Sequence, residues 1–311
     1  MLLNPASGKV KKKIHHVRKI ISDIPGVIVA EATCPEEFIP ILDSFYLQKI
    51  TNLIIIAGDG TVQSALSYYI SISKGDKIPN ILILPGGTTN MTASDIGIKG
   101  FEVNLKKTKN IFAGNLQTKH INKPLLKIEL QDKPAMYGFF FGAGIIASGV
   151  KYFNKHIKKS GLTGEIISIA AIVPFIFKLL LAPESNKLGQ AMLEIETDGV
   201  KKKPMCTLVF FATTLDRLLY GLRPYWGNTK KPIHVTFIKA QANRLWRSLI
   251  SIIFNRGHYL NESDGYNSFN NHKISMRLNS SYIIDGEIFN SENHNIQLNL
   301  STTEPVTFIV P

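Results

Sequence analysis

Three short segments in the first third of the chain combine glycine with hydroxyl, amide or carboxylate side chains, which are residue types that bind phosphate groups. They read Asn4-Pro5-Ala6-Ser7-Gly8, Gly58-Asp59-Gly60-Thr61 and Pro85-Gly86-Gly87-Thr88-Thr89-Asn90. Glycines let backbone N–H groups approach a phosphate closely, and hydroxyl groups donate further hydrogen bonds. An aspartate among phosphates needs a cation, so Asp59 is predicted to act through Mg²⁺ or through water bound to it.

The second and third segments each follow a short apolar run and precede a helical pattern. The runs Leu53 to Ala57 and Ile81 to Leu84 are predicted to be buried parallel strands. Open α/β sheets bind ligands at the carboxyl ends of their strands, so we expect both loops to line one such edge. An ordinary turn remains the alternative for Asn4 to Gly8 and for Gly58 to Thr61, where Thr61 would be a helix N-cap.

The remaining pattern of the first third is that of a parallel sheet covered by helices. Val27 to Val29 is predicted to be another buried strand. Thr33, followed by Pro35 and Glu36, is predicted to be the N-cap of a helix in which Glu36 supplies the acid of a capping box.

Beyond about residue 121, apolar and polar residues alternate with a period of two, as in Leu126 to Leu130, which indicates antiparallel strands. Leu193 to Thr197 runs into Asp198-Gly199, which predicts a β-hairpin. The sequence therefore predicts an α/β domain over residues 1–120 and a β-rich domain over residues 121–311.

Taken in order, these loops resemble those of the diacylglycerol kinase catalytic-domain family, which includes bacterial lipid kinases and sphingosine kinases. The resemblance rests on Asn4 to Gly8, Ala57 to Thr61, Pro85 to Asn90 and, near the end of the chain, Asp285-Gly286-Glu287. It implies a Rossmann-like α/β domain of the NAD kinase and diacylglycerol kinase type, followed by an all-β sandwich domain. The active site would lie in the cleft between them.

The resemblance also implies ATP and Mg²⁺ as cofactors and a set of residues around the nucleotide. This set comprises Asn4, Pro5, Ala6, Ser7, Gly8, Thr33, Gly58, Asp59, Gly60, Thr61, Val62, Gln63, Ser64, Gly87, Thr88 and Asn90. Asp59 is the metal-associated residue of the set, acting through Mg²⁺ bound to ATP.

By the same resemblance, the catalytic residues are Glu287, Asp59 and Asp285. Glu287 would be the general base that takes the proton from a lipid hydroxyl, and Asp285 would orient it or assist with the metal. Phosphoryl transfer mostly requires positioning and charge neutralisation, so one carboxylate near the attacking oxygen completes the site. From its sequence alone, Asp285-Gly286 is equally well a hairpin turn.

Several positions depart from the family pattern. Ala57 replaces the first loop glycine, and Gln63-Ser64 replaces an Asn-Glu pair. Where some members bind a structural Mg²⁺ through an Asp-rich turn, this chain has Asn228 to Pro232 with two lysines, so we predict no second Mg²⁺ there. Only Met1 to Leu3 precede the first loop, so a short first strand is expected.

The composition limits the classes of partner that can be expected. Among 311 residues, 36 Lys and Arg exceed 23 Asp and Glu, so the net charge of +13 favours polyanionic partners. The sequence contains no nucleic-acid-binding motif, and nucleic acid is not predicted as a partner. Cys34 and Cys206 form no disulfide or metal pattern. Without an apolar leader, a cytoplasmic location at the inner membrane face is predicted.

Two segments are candidates for contact with a lipid surface. Ile166 to Ala182 is apolar but contains Pro174 and Lys178 and falls short of the roughly 20 residues of a spanning helix, so no transmembrane helix is predicted. Leu245 to Ile253, with Arg244 and Arg247, indicates a basic amphipathic helix. Ordinary core packing is the alternative for both. A homodimer is one arrangement that the resemblance allows.

Three functions compete on this sequence: an ATP-dependent lipid kinase, a kinase of a soluble acceptor such as NAD, and a nucleotide-binding protein without catalysis. The Gly58 to Thr61 loop fits the first two. The terminal Asp285-Gly286-Glu287 favours the lipid kinase, and the presence of both Asp59 and Glu287 favours catalysis. The sequence does not name the acceptor lipid.

Overall fold

The computed structural model describes residues 1–73, 75–112, 115–131, 133–156, 189–218, 221–254, 256–290 and 295–311. The chain divides into two compact units. The first contains residues 1–124 and 304–311, and the second contains residues 125–303. This division differs from the predicted one, because the end of the chain returns to the first unit.

The first unit is an α/β domain. Its leading elements are β1 (Leu2–Leu3), α1 (Gly8–Lys12), α2 (Ile14–Ser22), β2 (Ala30–Glu31), α3 (Pro35–Leu47), β3 (Asn52–Ala57), α4 (Asp59–Ser73), β4 (Asn80–Pro85), α5 (Met91–Asp95), α6 (Phe101–Phe112) and β5 (Lys119–Lys123). β2, β1, β3 and β4 lie side by side in parallel. The predicted strands at β3 and β4 are confirmed, and both are almost fully buried because helices cover the sheet.

Among its described residues, the second unit is all β apart from two α-helices and short 3₁₀ turns. Its elements are β6 (Leu126–Leu130), β7 (Met136–Gly138), β8 (Phe140–Gly144), α7 (Ile145–His156), β9 (Ala191–Thr197), β10 (Val200–Lys201), β11 (Met205–Thr213), β12 (Ile233–Lys239), α8 (Leu245–Ile253), β13 (Tyr266–Asn271), β14 (Ile274–Asn279), β15 (Tyr282–Ile284), β16 (Glu287–Phe289) and β17 (Ile296–Thr302). Short 3₁₀ turns lie at Gly257–Tyr259 and Glu262–Asp264. All strand pairs in this unit are antiparallel, as predicted.

These strands belong to one curled sheet of twelve strands rather than two separate sheets. Inward-facing side chains of alternating positions, such as Leu193 and Ile195 of β9, form its core with Phe141, Phe210 and Phe237. The predicted hairpin after β9 is confirmed: Asp198 and Gly199 both adopt positive φ and return the chain to β10.

The last strand, β18 (Val306–Val310), belongs to the first unit. It pairs in parallel with β4 through Phe308 and Ile81, and antiparallel with β5 along its length. The predicted domain of residues 121–311 was therefore wrong at both ends, because β5 and β18 complete the sheet of the first unit. Nothing in the local alternation of β18 reveals this pairing, which joins Phe308 to a residue 227 positions earlier in the chain.

Two local predictions in the first unit were also wrong. Val27 to Val29 is not a strand, and Ile28 and Val29 are 51% and 38% exposed. The strand at this edge of the sheet is Ala30–Glu31, and an outer strand is not covered on all sides. Helix α3 has Cys34 rather than Thr33 at its N-cap.

The acid at the start of α3 is Glu37, one residue later than predicted. Its Oε2 accepts hydrogen bonds from the Thr33 N–H at 2.6 Å and the Thr33 hydroxyl at 2.9 Å. Because the helix begins at Pro35, the third helical residue is Glu37 and not Glu36. The hydrogen bond from the Thr33 backbone is the main cause that lowers the pKa of Glu37.

No helix among the described residues combines the length and apolar character needed to cross a bilayer. The apolar segment Ile166 to Ala182 lies outside the described residues.

A buried ion pair links α5 to β5. The Lys123 ammonium lies 2.6 Å from the Asp95 carboxylate, and the two side chains are 9% and 0% exposed. Replacing Lys123 by Met leaves Asp95 without this partner, so the free energy of unfolding should fall by about 3–5 kcal/mol. Lys13→Met, which breaks the exposed pair with Glu102, should leave the free energy of unfolding almost unchanged because solvent screens both charges.

The measurement is urea unfolding followed by far-ultraviolet circular dichroism. Adding Asp95→Asn to Lys123→Met should recover part of the loss, because the uncompensated buried charge is removed. Equal losses from Lys123→Met and Lys13→Met would contradict a structural role for the buried pair.

Candidate active site

The loops after β3 and β4 touch through two glycines. The strands are in register with Ala57 beside Pro85, so the next residues emerge at the same edge of the sheet. A Cβ atom on Gly87 would lie 2.4 Å from the Gly58 Cα, and one on Gly58 would lie 3.1 Å from the Gly87 Cα. The contact therefore requires glycine at position 87, and a side chain at position 58 would force the Gly87 backbone to shift.

The first loop is bonded to the same place. The Ser7 hydroxyl accepts a hydrogen bond from the Gly58 N–H at 3.3 Å, and the Lys9 N–H donates to the Gly86 carbonyl at 2.8 Å. A Cβ atom on Gly86 would lie 2.4 Å from the Val10 side chain, so this position is also restricted to glycine. The three predicted loops thus form one assembly at the carboxyl ends of β1, β3 and β4.

Asn4 is buried beneath this assembly and orients Thr61. The Asn4 amide donates to the Thr61 hydroxyl at 2.9 Å, while its carbonyl oxygen accepts from the Ala6 N–H at 2.9 Å. Because the Thr61 oxygen is an acceptor in this bond, its own proton can be donated to a phosphate oxygen. Both residues were predicted to contact the nucleotide, and the structure shows a hydrogen bond that joins them.

Asp59 holds the start of helix α5. Its Oδ2 accepts from the Thr89 hydroxyl at 2.8 Å and the Met91 N–H at 2.9 Å, and its Oδ1 accepts from the Thr92 N–H at 3.2 Å. These donors would otherwise lack partners at the beginning of a helix. The carboxylate therefore connects the second loop to the third, and any Mg²⁺ would meet only its remaining lone pairs or a bridging water.

Asn90 fixes the conformation of the third loop. It adopts a left-handed conformation with φ of 48°, and its side chain accepts from the Gly87 N–H and donates to the Gly87 carbonyl, both at 2.8 Å. This pair of bonds uses the Gly87 N–H that could otherwise face a phosphate. Asn90 was predicted to contact nucleotide, and its observed bonds are made within the loop.

The N-terminus of α4 provides backbone donors for an anion. The helix begins at Asp59, so the N–H groups of Gly60 and Thr61 have no acceptor within it. A Cβ atom on Gly60 would meet nothing within 4 Å, so the space beside this turn is open. The arrangement fits the phosphate-binding function that the sequence predicts for this segment.

The remaining predicted nucleotide residues differ in exposure. Val62 is buried in the core, while Gln63 and Ser64 are half-buried on the first turns of α4. Thr88 approaches the first loop, since a Cβ atom on Gly8 would lie 3.3 Å from its hydroxyl.

Two further members of the predicted set lie near the surface. Thr33 is exposed at the carboxyl end of β2, one strand from the first loop. Pro5 is half-buried and precedes the exposed Ala6 in the turn that Asn4 closes.

The described part of the chain offers few side chains that could bind a metal ion together. It contains no group of three or more His, Cys, Asp or Glu side chains arranged to hold a metal ion. A Mg²⁺ ion at this site would therefore depend on phosphate oxygens for most of its ligands, with Asp59 as the nearest carboxylate in the loops. At the turn of Asn228 to Pro232, the Lys231 ammonium contacts Asp198 at 3.2 Å and Asn271 at 3.1 Å.

In the second unit, Asp285 and Gly286 form a two-residue turn between β15 and β16. Their φ values are 46° and 91°, and Ile284 pairs with Glu287 directly after the turn. The hairpin interpretation of Asp285-Gly286 is thus confirmed without excluding a catalytic one. Glu287 is exposed, and among the residues that the structure describes its carboxylate has no hydrogen bond or ion pair.

The Asp285 carboxylate anchors this hairpin to the chain between β7 and β8. Its Oδ1 accepts from the Phe140 N–H at 2.8 Å and the Phe139 N–H at 3.1 Å, and Oδ2 accepts from the Phe139 N–H at 3.0 Å. A Cβ atom on Gly138 would lie 2.8 Å from Oδ2, so glycine makes room for the carboxylate. Asp285 therefore orients the turn that carries Glu287.

Sequence reasoning missed the partners of both aspartates. Thr89 was part of a predicted loop but had no assigned role, and no role was predicted for Gly138 or Phe139. Phe139 also accepts through its carbonyl from the Thr213 hydroxyl at 2.8 Å, which extends the anchor into β11. The one sequence signal was the glycine at 138, because a glycine between two short strands can indicate that another group approaches the backbone closely.

The comparisons with known proteins agree with this geometry. Residues 1–123 match the family model for the diacylglycerol kinase catalytic domain. None of the curated proteins compared with the chain matches it.

Solved structures share the fold over the whole chain. A diacylglycerol kinase from Bacillus anthracis strain Sterne has a TM-score of 0.61 at 12% identity, over 100% of this chain and 95% of that one. A candidate diacylglycerol kinase from the same strain has a TM-score of 0.66 at 15% identity, over 100% and 94%. Yeast NADH kinase in complex with NADH has a TM-score of 0.54 at 12% identity, over 100% and 82%.

Most of the first unit is therefore similar to a kinase catalytic domain. The match of residues 1–123 to the diacylglycerol kinase catalytic domain model confirms the resemblance inferred from the loops. The α/β unit followed by an all-β unit is likewise confirmed by the structures of similar fold.

The glycine contact between the two loops can be tested by substitution. Gly87→Ala should lower the free energy of unfolding of the first unit by about 1–3 kcal/mol, because its methyl group would collide with Gly58. Gly60→Ala is the matched control, since its methyl group meets open space and alanine favours a helix. Hydrogen exchange of the β3 and β4 amides measures the stability of the first unit in both variants. Equal protection in the two variants would argue against the contact as a constraint.

The anchoring role of Asp285 predicts different results for two substitutions. Asp285→Ala removes the acceptor for Phe139 and Phe140 and should cost about 1–3 kcal/mol, whereas Asp285→Asn keeps one acceptor and tolerates positive φ. Both tryptophans, Trp226 and Trp246, lie in the second unit, so tryptophan fluorescence during urea unfolding reports its stability. An Asn variant as unstable as the Ala variant would mean that the full carboxylate is required.

Proposed function

We propose that this chain is an ATP-dependent lipid kinase that transfers the γ-phosphoryl group to a hydroxyl of diacylglycerol or a related lipid. The single observation that carries the proposal is the division among three acidic residues. Asp59 and Asp285 are hydrogen-bonded within their own units, while the exposed Glu287 carboxylate has no described partner. A base must reach the acceptor, and Glu287 is the member of this set that is available.

The nucleotide phosphates would be bound by the loops of the first unit. The Thr61 and Ser7 hydroxyl protons and the N–H groups at the start of α4 supply donors around open space at Gly60. Asn4 and the glycine contact keep these donors in place before the nucleotide arrives, so little reorganisation is needed at the moment of transfer. Bound Mg²⁺ would neutralise charge on the phosphates.

In the reaction, Glu287 would accept the proton of the lipid hydroxyl as its oxygen forms a bond to the γ-phosphorus. The bond between that phosphorus and the β,γ-bridging oxygen breaks, and ADP leaves with the electron pair. Asp285 would act as a positioning residue by holding the hairpin turn. Because the acceptor is a lipid, the proposed reaction takes place at a membrane surface.

The main alternative is a kinase of a soluble acceptor. The similarity to yeast NADH kinase includes the whole of this chain, and the loop at Gly58 to Thr61 suits either acceptor. A third reading is nucleotide binding without catalysis. The match of the first 123 residues to the diacylglycerol kinase domain favours the lipid.

The test is transfer of radiolabelled phosphate from ATP to mixed micelles that contain diacylglycerol, monoacylglycerol, sphingosine or ceramide, and in parallel to NAD. The wild type should label a lipid, and Glu287→Gln should reduce the rate by about 10²- to 10⁴-fold because the general base is lost. Glu194→Gln, a half-buried glutamate on β9 of the same unit, is the matched control and should retain activity.

The other outcomes are equally informative. Label in NAD and not in lipid would replace the proposal with the soluble-acceptor kinase. A folded protein that binds ATP but labels neither acceptor would favour nucleotide binding without catalysis. Full activity in Glu287→Gln would remove Glu287 as the base.

A further inference from the structure

Helix α8 buries one side in the second unit. Leu245, Leu249 and Ile252 pack with Ile238 and Tyr266 in a small hydrophobic cluster. These are the apolar residues that the sequence offered for contact with lipid, and the structure uses them for the core instead. Their burial orients the helix and decides which residues lie on its other side.

The opposite side of α8 is exposed and partly apolar. Residues advance by about 100° around a helix, so Arg247, Ile250 and Phe254 lie across from Leu245 and Ile252. Ile250 is 54% exposed and Phe254, just after the last turn, is 71% exposed.

A second exposed aromatic residue follows closely. Tyr259, in the adjacent 3₁₀ turn, is 73% exposed. Of the ten exposed large hydrophobic side chains among the described residues, these three fall within ten positions of each other, which marks a local concentration.

The adjacent turn is held firmly against the unit. Gly257 is buried, and a Cβ atom there would lie 2.2 Å from the Trp226 ring, so the backbone rests directly on that indole. The Arg256 N–H donates to the Ser251 carbonyl at 2.7 Å, which joins the turn to the helix. The exposed side chains therefore extend from a fixed backbone.

The charge around these side chains has a single sign. Arg244, Arg247 and Arg256 are exposed, and the sequence from 244 to 260 contains no Asp or Glu. The acidic residues that follow have their own partners: Glu262 pairs with Lys202 at 2.7 Å, and Asp264 accepts from Asn243. We call Arg244, Arg247, Ile250, Phe254, Arg256 and Tyr259 the α8 patch.

We propose that the α8 patch docks this protein on the surface of a bilayer containing anionic lipids. Arginines match the negative headgroups, while isolated aromatic and aliphatic side chains suit the boundary between headgroups and acyl chains. This inference deepens the proposed function, on which it rests for its purpose, because it names the surface by which a lipid kinase would reach its acceptor. Binding itself is measured without nucleotide.

The experiment is co-sedimentation of the full chain with sucrose-loaded vesicles of phosphatidylglycerol and phosphatidylcholine, compared with phosphatidylcholine alone. Arg244→Glu with Arg247→Glu should weaken binding to anionic vesicles at least tenfold. Ile250→Ser with Phe254→Ser should also weaken it, and that loss should persist at high salt, where the contribution of charge is screened.

Matched controls separate the patch from the overall positive charge. Lys203→Glu with Lys230→Glu makes the same change in net charge at exposed positions of the same unit, and Val200→Ser removes another exposed apolar side chain. Both should bind nearly as well as the wild type. Because every substituted residue is exposed, unfolding midpoints should stay unchanged and are measured alongside.

Three results would overturn the proposal. The first is that the wild type does not bind anionic vesicles, which is expected if the patch instead binds an acidic protein. The second is that the α8 variants bind vesicles as tightly as the wild type. The third is that the Lys203→Glu, Lys230→Glu control loses as much affinity as the Arg244→Glu, Arg247→Glu variant. Failure of the docking proposal can be distinguished from failure of the proposed kinase function. Activity toward short-chain diacylglycerol dissolved in water should persist in the α8 variants, and Glu287→Gln should still bind vesicles.

Discussion

The contact between Gly58 and Gly87 is the constraint on which the nucleotide loops depend. Adjacent parallel strands in register bring two turns to one point, and a side chain on Gly87 would prevent the two backbones from meeting there. Once they meet, Ser7 can bond to Gly58 and the first loop is fixed as well. Donors for phosphate are thus held by backbone packing rather than by flexible side chains, which suits a reaction that depends on positioning.

The two aspartates of the candidate site have the same structural role, one in each unit. Each accepts hydrogen bonds from backbone N–H groups of a neighbouring segment: Asp59 from the start of α5, and Asp285 from Phe139 and Phe140. A carboxylate satisfied in this way is a rigid connector, because its removal leaves several donors without partners. It follows that acidic residues in a site need not contact the substrate, and that their first effect is on geometry.

Helix α8 illustrates how burial determines which residues are available to a partner. Its sequence is apolar over most of its length, and packing against Ile238 and Tyr266 uses one side only. What remains outside is a mixed surface of Ile250, Phe254 and arginines. A helix that is amphipathic toward the core can therefore still present apolar groups outward, and the exposed set differs from the one that hydrophobicity alone selects.

The sequence by itself determined the features that depend on near neighbours. It identified β3 and β4 as buried strands, the loops that follow them, the hairpins at Asp198-Gly199 and Asp285-Gly286, and the family resemblance, because apolar runs and turn residues act over a few positions. The tertiary structure decided the rest. It joined β18 to β4, moved the strand of Val27–Val29 to an exposed edge at Ala30–Glu31, gave Asp59 and Asp285 their backbone partners and turned Ile250 and Phe254 outward. Each of these depends on contacts between segments far apart in the chain, for which local patterning carries no information.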